Sequence, residues 1–181
     1  MNRRTILKLA AFAAAVLAAA LPLAAQTLMP SARVPASDGT IAPEEYSYTS
    51  AQKDMTLHLS LSADGKTLYA ALEAPTTGWA AIGLGSRKMD GALLILGYDA
   101  AGVPAIREDT GVGHRHSPNP NRVLTAQAVR ESDGKTTLEF ALPAATHASG
   151  SSLRMILAYG RRDDFSSIHA RYASVEVPIG R

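Results

Sequence analysis

The 181-residue chain contains no cysteine, and that single absence removes several chemistries. Disulfides, Cys-ligated zinc, iron–sulfur clusters, thiolate nucleophiles and covalent Cys-x-x-Cys-His haem attachment are all excluded. Also missing are a Gly-x-Ser-x-Gly elbow, a His-Glu-x-x-His helix motif and a glycine-rich phosphate loop, so hydrolytic catalysis has little support. Paired carboxylates do occur, at Glu44-Glu45 and Asp163-Asp164, but acid and base roles need a geometry that sequence does not supply.

A surplus of charge is lacking too, once its location is considered. The chain carries 18 Lys+Arg against 16 Asp+Glu, with a pI near 9.0. Arg3, Arg4 and Lys8 precede an unbroken apolar run, Leu9 to Leu21, which Pro22 breaks before the small residues Ala24 and Ala25. Residues 1–25 therefore read as an export signal cleaved before Gln26. The run of 13 residues falls short of the roughly 20 needed to span a bilayer, so no stable membrane span is expected after cleavage. A Sec signal is the favoured reading, and Asn2-Arg3-Arg4-Thr5-Ile6-Leu7-Lys8 resembles a twin-arginine signal as the alternative. Either route gives a periplasmic or secreted protein. Three of the 18 positive charges lie in this leader, leaving 15 against 16 negative ones. Nucleic-acid binding thereby loses its electrostatic basis.

What remains is dominated by a period of two. Residues 26–36, with Pro30 and Pro35, read as a loose N-terminal arm ahead of one domain over residues 37–181. Met55, Leu57, Leu59 and Leu61 alternate with polar residues, and Leu68, Ala70 and Leu72 repeat the pattern beyond an Asp64-Gly65 turn. Gly78–Leu84 and Ala92–Tyr98 are apolar throughout and read as buried central strands. Val123–Val129 pairs with Thr136–Leu142 across Asp133-Gly134, while Leu153–Tyr159 and Val175–Ile179 alternate again. No segment beyond the leader sustains a helical period. The expectation is an all-β, immunoglobulin-like antiparallel sandwich of roughly nine to eleven strands.

Two loops depart from this pattern, Gly83–Ala92 and Asp163–Arg171. Met89 sits among Arg87, Lys88 and Asp90, unlike Met55 and Met155, which lie on apolar strand faces as core filler. From the residues alone Met89 is equally a metal ligand or an exposed loop residue. His169 reads as an ordinary loop histidine, Arg171 as a solvated strand end and Trp79 as a core residue. A third polar stretch, Asp109 to His116, could hold copper or zinc through Asp109, His114 and His116. Arg115 between the imidazoles and the lack of a spaced fourth ligand favour a solvated loop there. His58 and His147 have no evident partner.

Gly78-Trp79-Ala80-Ala81-Ile82-Gly83-Leu84-Gly85, then Met89-Asp90-Gly91-Ala92 and the strand ending Gly97-Tyr98, resemble the DOMON domain family. Asp38-Gly39-Thr40-Ile41, Leu68–Ala74, Asp133–Phe140 and the His169 region continue the likeness from about Ser37 to Ile179. The resemblance implies a sandwich that binds haem or a sugar. In the haem-binding branch, which includes the cytochrome domain of cellobiose dehydrogenase, a Met and a His grip a b-type haem from opposite faces. The matching positions here are Met89 and His169. Arg171 would then meet a haem propionate and Trp79 would line the pocket, with the two sheets enclosing the porphyrin. Leu93 departs from the acidic residue that many relatives carry after Gly-Ala, which weakens a sugar or cation role there.

The resemblance thus implies an exported domain with noncovalent haem b and no catalytic site of its own. It would pass single electrons to or from a periplasmic or membrane redox protein. The alternatives are a sugar or small-ligand binding module on the same sandwich, and a haem sensor or carrier.

Overall fold

The computed structural model describes residues 26–148 and 150–180; the expected export signal, 1–25, lies outside them. Among these described residues, twelve strands follow in chain order. They are β1 (Pro30–Ser31), β2 (Tyr48–Gln52), β3 (Met55–Ser62), β4 (Thr67–Ala74), β5 (Ala80–Leu84) and β6 (Leu93–Ala100). The remainder are β7 (Val103–Val112), β8 (Arg115–Pro118), β9 (Ala126–Ser132), β10 (Lys135–Pro143), β11 (Ser152–Tyr159) and β12 (Arg171–Pro178). The excess over nine to eleven comes from β1 and β8, pieces of two and four residues. Such short pieces leave no readable alternation.

One sheet runs β1-β3-β4-β10-β9, with β2 also on β3; the other runs β12-β11-β5-β6-β7-β8. All ladders are antiparallel except the short β1–β3 pairing. The chain is therefore the immunoglobulin-like β-sandwich that its alternation predicts. Asp133 and Gly134 both take positive φ, 53° and 74°, and join Ser132 to Lys135 in the two-residue hairpin turn expected there. Ala101 and Gly102 make the same kind of turn between β6 and β7, at φ 53° and 87°. Alanine is a poor marker for that geometry, and β7 carries Arg107, Glu108 and Asp109, so the sequence pattern hides this strand.

The space between the sheets is filled by alternate residues of both, among them Leu57, Leu72, Ile82, Leu138, Phe140 and Leu157, all fully buried. The N-terminal arm is docked rather than loose. Leu28 is fully buried, its N–H donates to the Pro178 carbonyl at 2.8 Å, and its carbonyl accepts from Gly180 N–H at 2.9 Å. Burying a leucine is worth about 1.5–3 kcal/mol, enough to hold a short arm against the sheet edge.

β5, most of β6 and the second half of β11 are apolar on both faces. While Ile82 and Ile95 enter the core, Ala81, Leu94, Leu96 and Ile156 form a second apolar cluster with Trp79. A sheet needs two apolar faces only when both are covered, so this outer face locates the site.

Candidate functional site

A cavity of about 830 Å³ lies over that outer face, floored by Trp79, Ala81, Leu94, Leu96, Ile156 and Ala158. Its size falls within the range of small-molecule and cofactor sites, about 300–1,000 Å³. The expected pocket between the two sheets is not what forms. Large side chains such as Leu138, Phe140 and Leu157 are fully buried there, and the cavity opens on the outside of one sheet instead.

Met89 and His169 line this one cavity from two separate loops. The Met89 loop is fixed by its backbone. Ala92 N–H donates to the Met89 carbonyl at 3.1 Å, Gly91 N–H to Gly111 at 3.0 Å, and Gly111 N–H to Ala92 at 2.9 Å. Gly113 N–H adds a bond to the Asp90 carboxylate at 2.8 Å. Gly91 takes φ 75°, which a non-glycine residue adopts only with strain. Gly111 has no side chain to spare room for: a Cβ there would collide with the Met89 carbonyl oxygen. On its other flank, Ser174 Oγ–H donates to the Arg87 carbonyl at 2.8 Å.

The His169 loop is braced through Trp79 and Phe165. Indole Nε1–H of Trp79 donates to Ser167 Oγ at 2.9 Å, and the ring lies against Gly160, where any Cβ would strike it. Trp79 also exchanges backbone bonds with this segment, donating to Arg162 at 3.1 Å and accepting from Gly160 at 2.9 Å. Phe165 stacks on Tyr98 with centroids 4.8 Å apart, under the Arg107 guanidinium at 4.5 Å. The Asp164 carboxylate accepts from the Ser166 and Ser167 N–H groups, closing the turn. Ala170 N–H then returns to the Tyr159 carbonyl at 2.8 Å. His169 is half-buried, its ring tilted against Tyr172 at 5.0 Å. Trp79 is thus both cavity floor and strut, more than the core filler that a strand tryptophan suggests.

Arg171 is placed elsewhere. Its Nε sits 3.6 Å from the Asp54 carboxylate, which also accepts from Tyr159 O–H at 2.7 Å, and it is not part of the cavity wall. The start of β12 directs it to this ion pair. The cations that do reach the wall are Arg87 and Lys88, which sequence reading treated only as markers of loop exposure.

The alternative metal set Asp109, His114 and His116 is not assembled as three converging ligands. No group of three or more His, Asp or Glu among the described residues is arranged to hold a metal ion. Asp109 is fully buried and its oxygens are taken by Arg107, at 2.7 and 2.6 Å, and by His116 Nδ1 at 2.5 Å. His114 and His116 instead form part of the cavity wall. The sequence cluster was therefore a genuine constellation with a different purpose. Its Arg107 member lies outside the Asp109–His116 stretch.

No family model and no curated protein matches the chain. Among solved structures it is similar to the cytochrome domain of Myriococcum thermophilum cellobiose dehydrogenase. That match has a TM-score of 0.55 and 13% identity over 74% of this chain and 81% of that one. It is also similar to the cytochrome b domain of pyranose dehydrogenase from Coprinopsis cinerea, at a TM-score of 0.58 and 15% identity over 72% and 80%. The chain shares their fold. The resemblance to the haem-binding branch of the DOMON family, read from short motifs, thus holds for the three-dimensional architecture. No helix among the described residues is long and apolar enough to cross a membrane.

Proposed function

We propose that this chain is an exported, periplasmic or secreted b-type cytochrome domain that transfers single electrons and has no catalytic site of its own. The observation that carries the proposal is that Met89 and His169, from two loops far apart in sequence, line one apolar-floored cavity. The donor set fits the group. A thioether and a neutral imidazole hold low-spin haem iron without a covalent link, and their combination raises the reduction potential. Bound there, haem b would supply a one-electron redox centre.

The chain's own residues have three tasks. Met89 and His169 would hold the iron, each from a loop fixed by backbone bonds and packing. The floor of Ala81, Leu94, Leu96 and Ile156 excludes water and offers a surface without charge to a planar apolar ligand. Trp79 ties the floor to the His169 loop, so the two ligand-bearing walls share one rigid base. Held by both residues, the group would carry electrons rather than bind oxygen or peroxide. The electron donor or acceptor would be a periplasmic or membrane redox protein.

Expression of the exported chain with haem available tests this. One haem per chain, with a low-spin spectrum that switches on reduction and reoxidation, is the expected result. A colourless protein that takes up no added haem would overturn it and favour the sugar or small-ligand module. Rapid loss of the haem to an apo-acceptor would favour the sensor or carrier.

A further inference from the structure

A second cavity, about 610 Å³, adjoins the first and shares His114 and His116 with it. We propose that this second cavity, through Arg115, His114 and His116, takes the two carboxylates of the porphyrin. The inference rests on the haem reading above and replaces the role expected of Arg171.

Haem b is an apolar disc with both carboxylates on one edge, so its site needs an apolar region continuous with a cationic, donor-rich one. The first cavity has the apolar floor. The second is walled by Arg107, Arg115, the two histidines, Ser117 and Ser166. A carboxylate removed from water without donors is costly, and a guanidinium fork is its best-matched partner.

These groups are not equally free to act. Arg107 is committed to Asp109 through two hydrogen bonds and to the face of Phe165. Arg115 is exposed and has no ion-pair partner among the described residues. His116 is oriented: an ionised carboxylate only accepts, so the hydrogen facing Asp109 sits on Nδ1. When both ring nitrogens carry a proton, Nε2–H is the donor left to meet a porphyrin carboxylate. Asp109 is fully buried and offset by Arg107, so that pair is the support and His116 the contact. Asp164, the acidic residue in this wall, has its Oδ1 turned to the Ser166 and Ser167 N–H groups. Two other cations already have carboxylate partners. Arg171 is held by Asp54 at 3.6 Å and Arg87 faces Glu176 at 3.7 Å.

Soret titration of the haem-free protein with haem and with its dimethyl ester, in one solvent, tests the assignment. The ester keeps the iron and the disc but has no anionic carboxylates. The expected result is tighter binding of haem than of the ester. Arg115→Ala should weaken haem about fivefold, the scale of one exposed charge pair, and leave the ester unchanged. Arg171→Ala should leave both unchanged. Equal binding of the two porphyrins, an equal loss of both in Arg115→Ala, or a haem-selective loss in Arg171→Ala would overturn this subsite while leaving the haem reading standing. Uptake of neither porphyrin would defeat the haem reading itself, and this subsite with it.

Discussion

The backbone of Met89 rests directly on Gly111: a Cβ at position 111 would occupy the space of the Met89 carbonyl oxygen. β7 therefore sets the height of the Met89 loop over the sheet, and only glycine permits that height. Gly111→Ala should lift the loop and cost about 1–3 kcal/mol, the range for overpacking. Urea denaturation of the haem-free protein measures the cost. In the haem-loaded protein the same substitution should weaken the methionine ligand and shift the spectrum toward high spin, while His169 stays in place.

Trp79 gives a second prediction. Trp79→Phe keeps an aromatic floor but deletes the indole N–H that reaches Ser167 at 2.9 Å. A loss of about 1 kcal/mol is expected from that bond. Hydrogen exchange should rise in the 160–169 segment and remain unchanged in the Met89 loop. Equal loosening of both loops would mean that Trp79 acts only as packing.

On the opposite sheet, fully buried Glu139 fastens the 38–46 segment. Its Oε2 accepts from the N–H groups of Asp38, Gly39 and Thr40, and its Oε1 from Tyr46 O–H at 2.7 Å. Tyr46→Phe leaves that carboxylate short of a donor and should cost about 1–3 kcal/mol. The cavity lies on the other sheet, so ligand uptake should be unaffected. A joint loss of stability and uptake would show that the two faces are coupled.

Burial holds the imidazoles of His58 and His147 below their ordinary value of 6.5. For His58 the nearby Glu73, at 3.3 Å, opposes the effect; for His147 burial is the cause alone. The unfolded chain binds protons at these groups before the folded chain does. Their contribution is therefore complete above the ordinary imidazole range and is lost as pH falls through it. His147→Gln should flatten the decline in denaturation midpoint between about pH 7 and 5. An unchanged slope would assign the decline to other groups.

The strands were legible wherever one face is apolar and turns carry Asp-Gly, as in β3–β4 and β9–β10. The continuous apolar runs of β5 and β6 also signalled burial on both faces. What covers the outer face was not legible, because a strand buried under a second sheet and one flooring a cavity have the same pattern. β7 escaped notice because its buried charges, Glu108 and Asp109, are neutralised by partners that only the fold supplies: Arg122 for the first, Arg107 and His116 for the second. The candidate ligands Met89 and His169 were found through short motifs. The pairing of Arg171 with Asp54 was not legible, because nothing in the sequence brings position 54 beside position 171.

The most direct test compares spectra of the haem-loaded protein with those of Met89→Ala and His169→Ala. Each variant is also prepared haem-free, with its fold checked by far-ultraviolet circular dichroism. Ligation by both residues predicts a low-spin, redox-active spectrum in the parent chain. It also predicts loss of that spectrum in each variant while the sandwich stays folded. A folded variant at either position that keeps the parent's low-spin spectrum would contradict it.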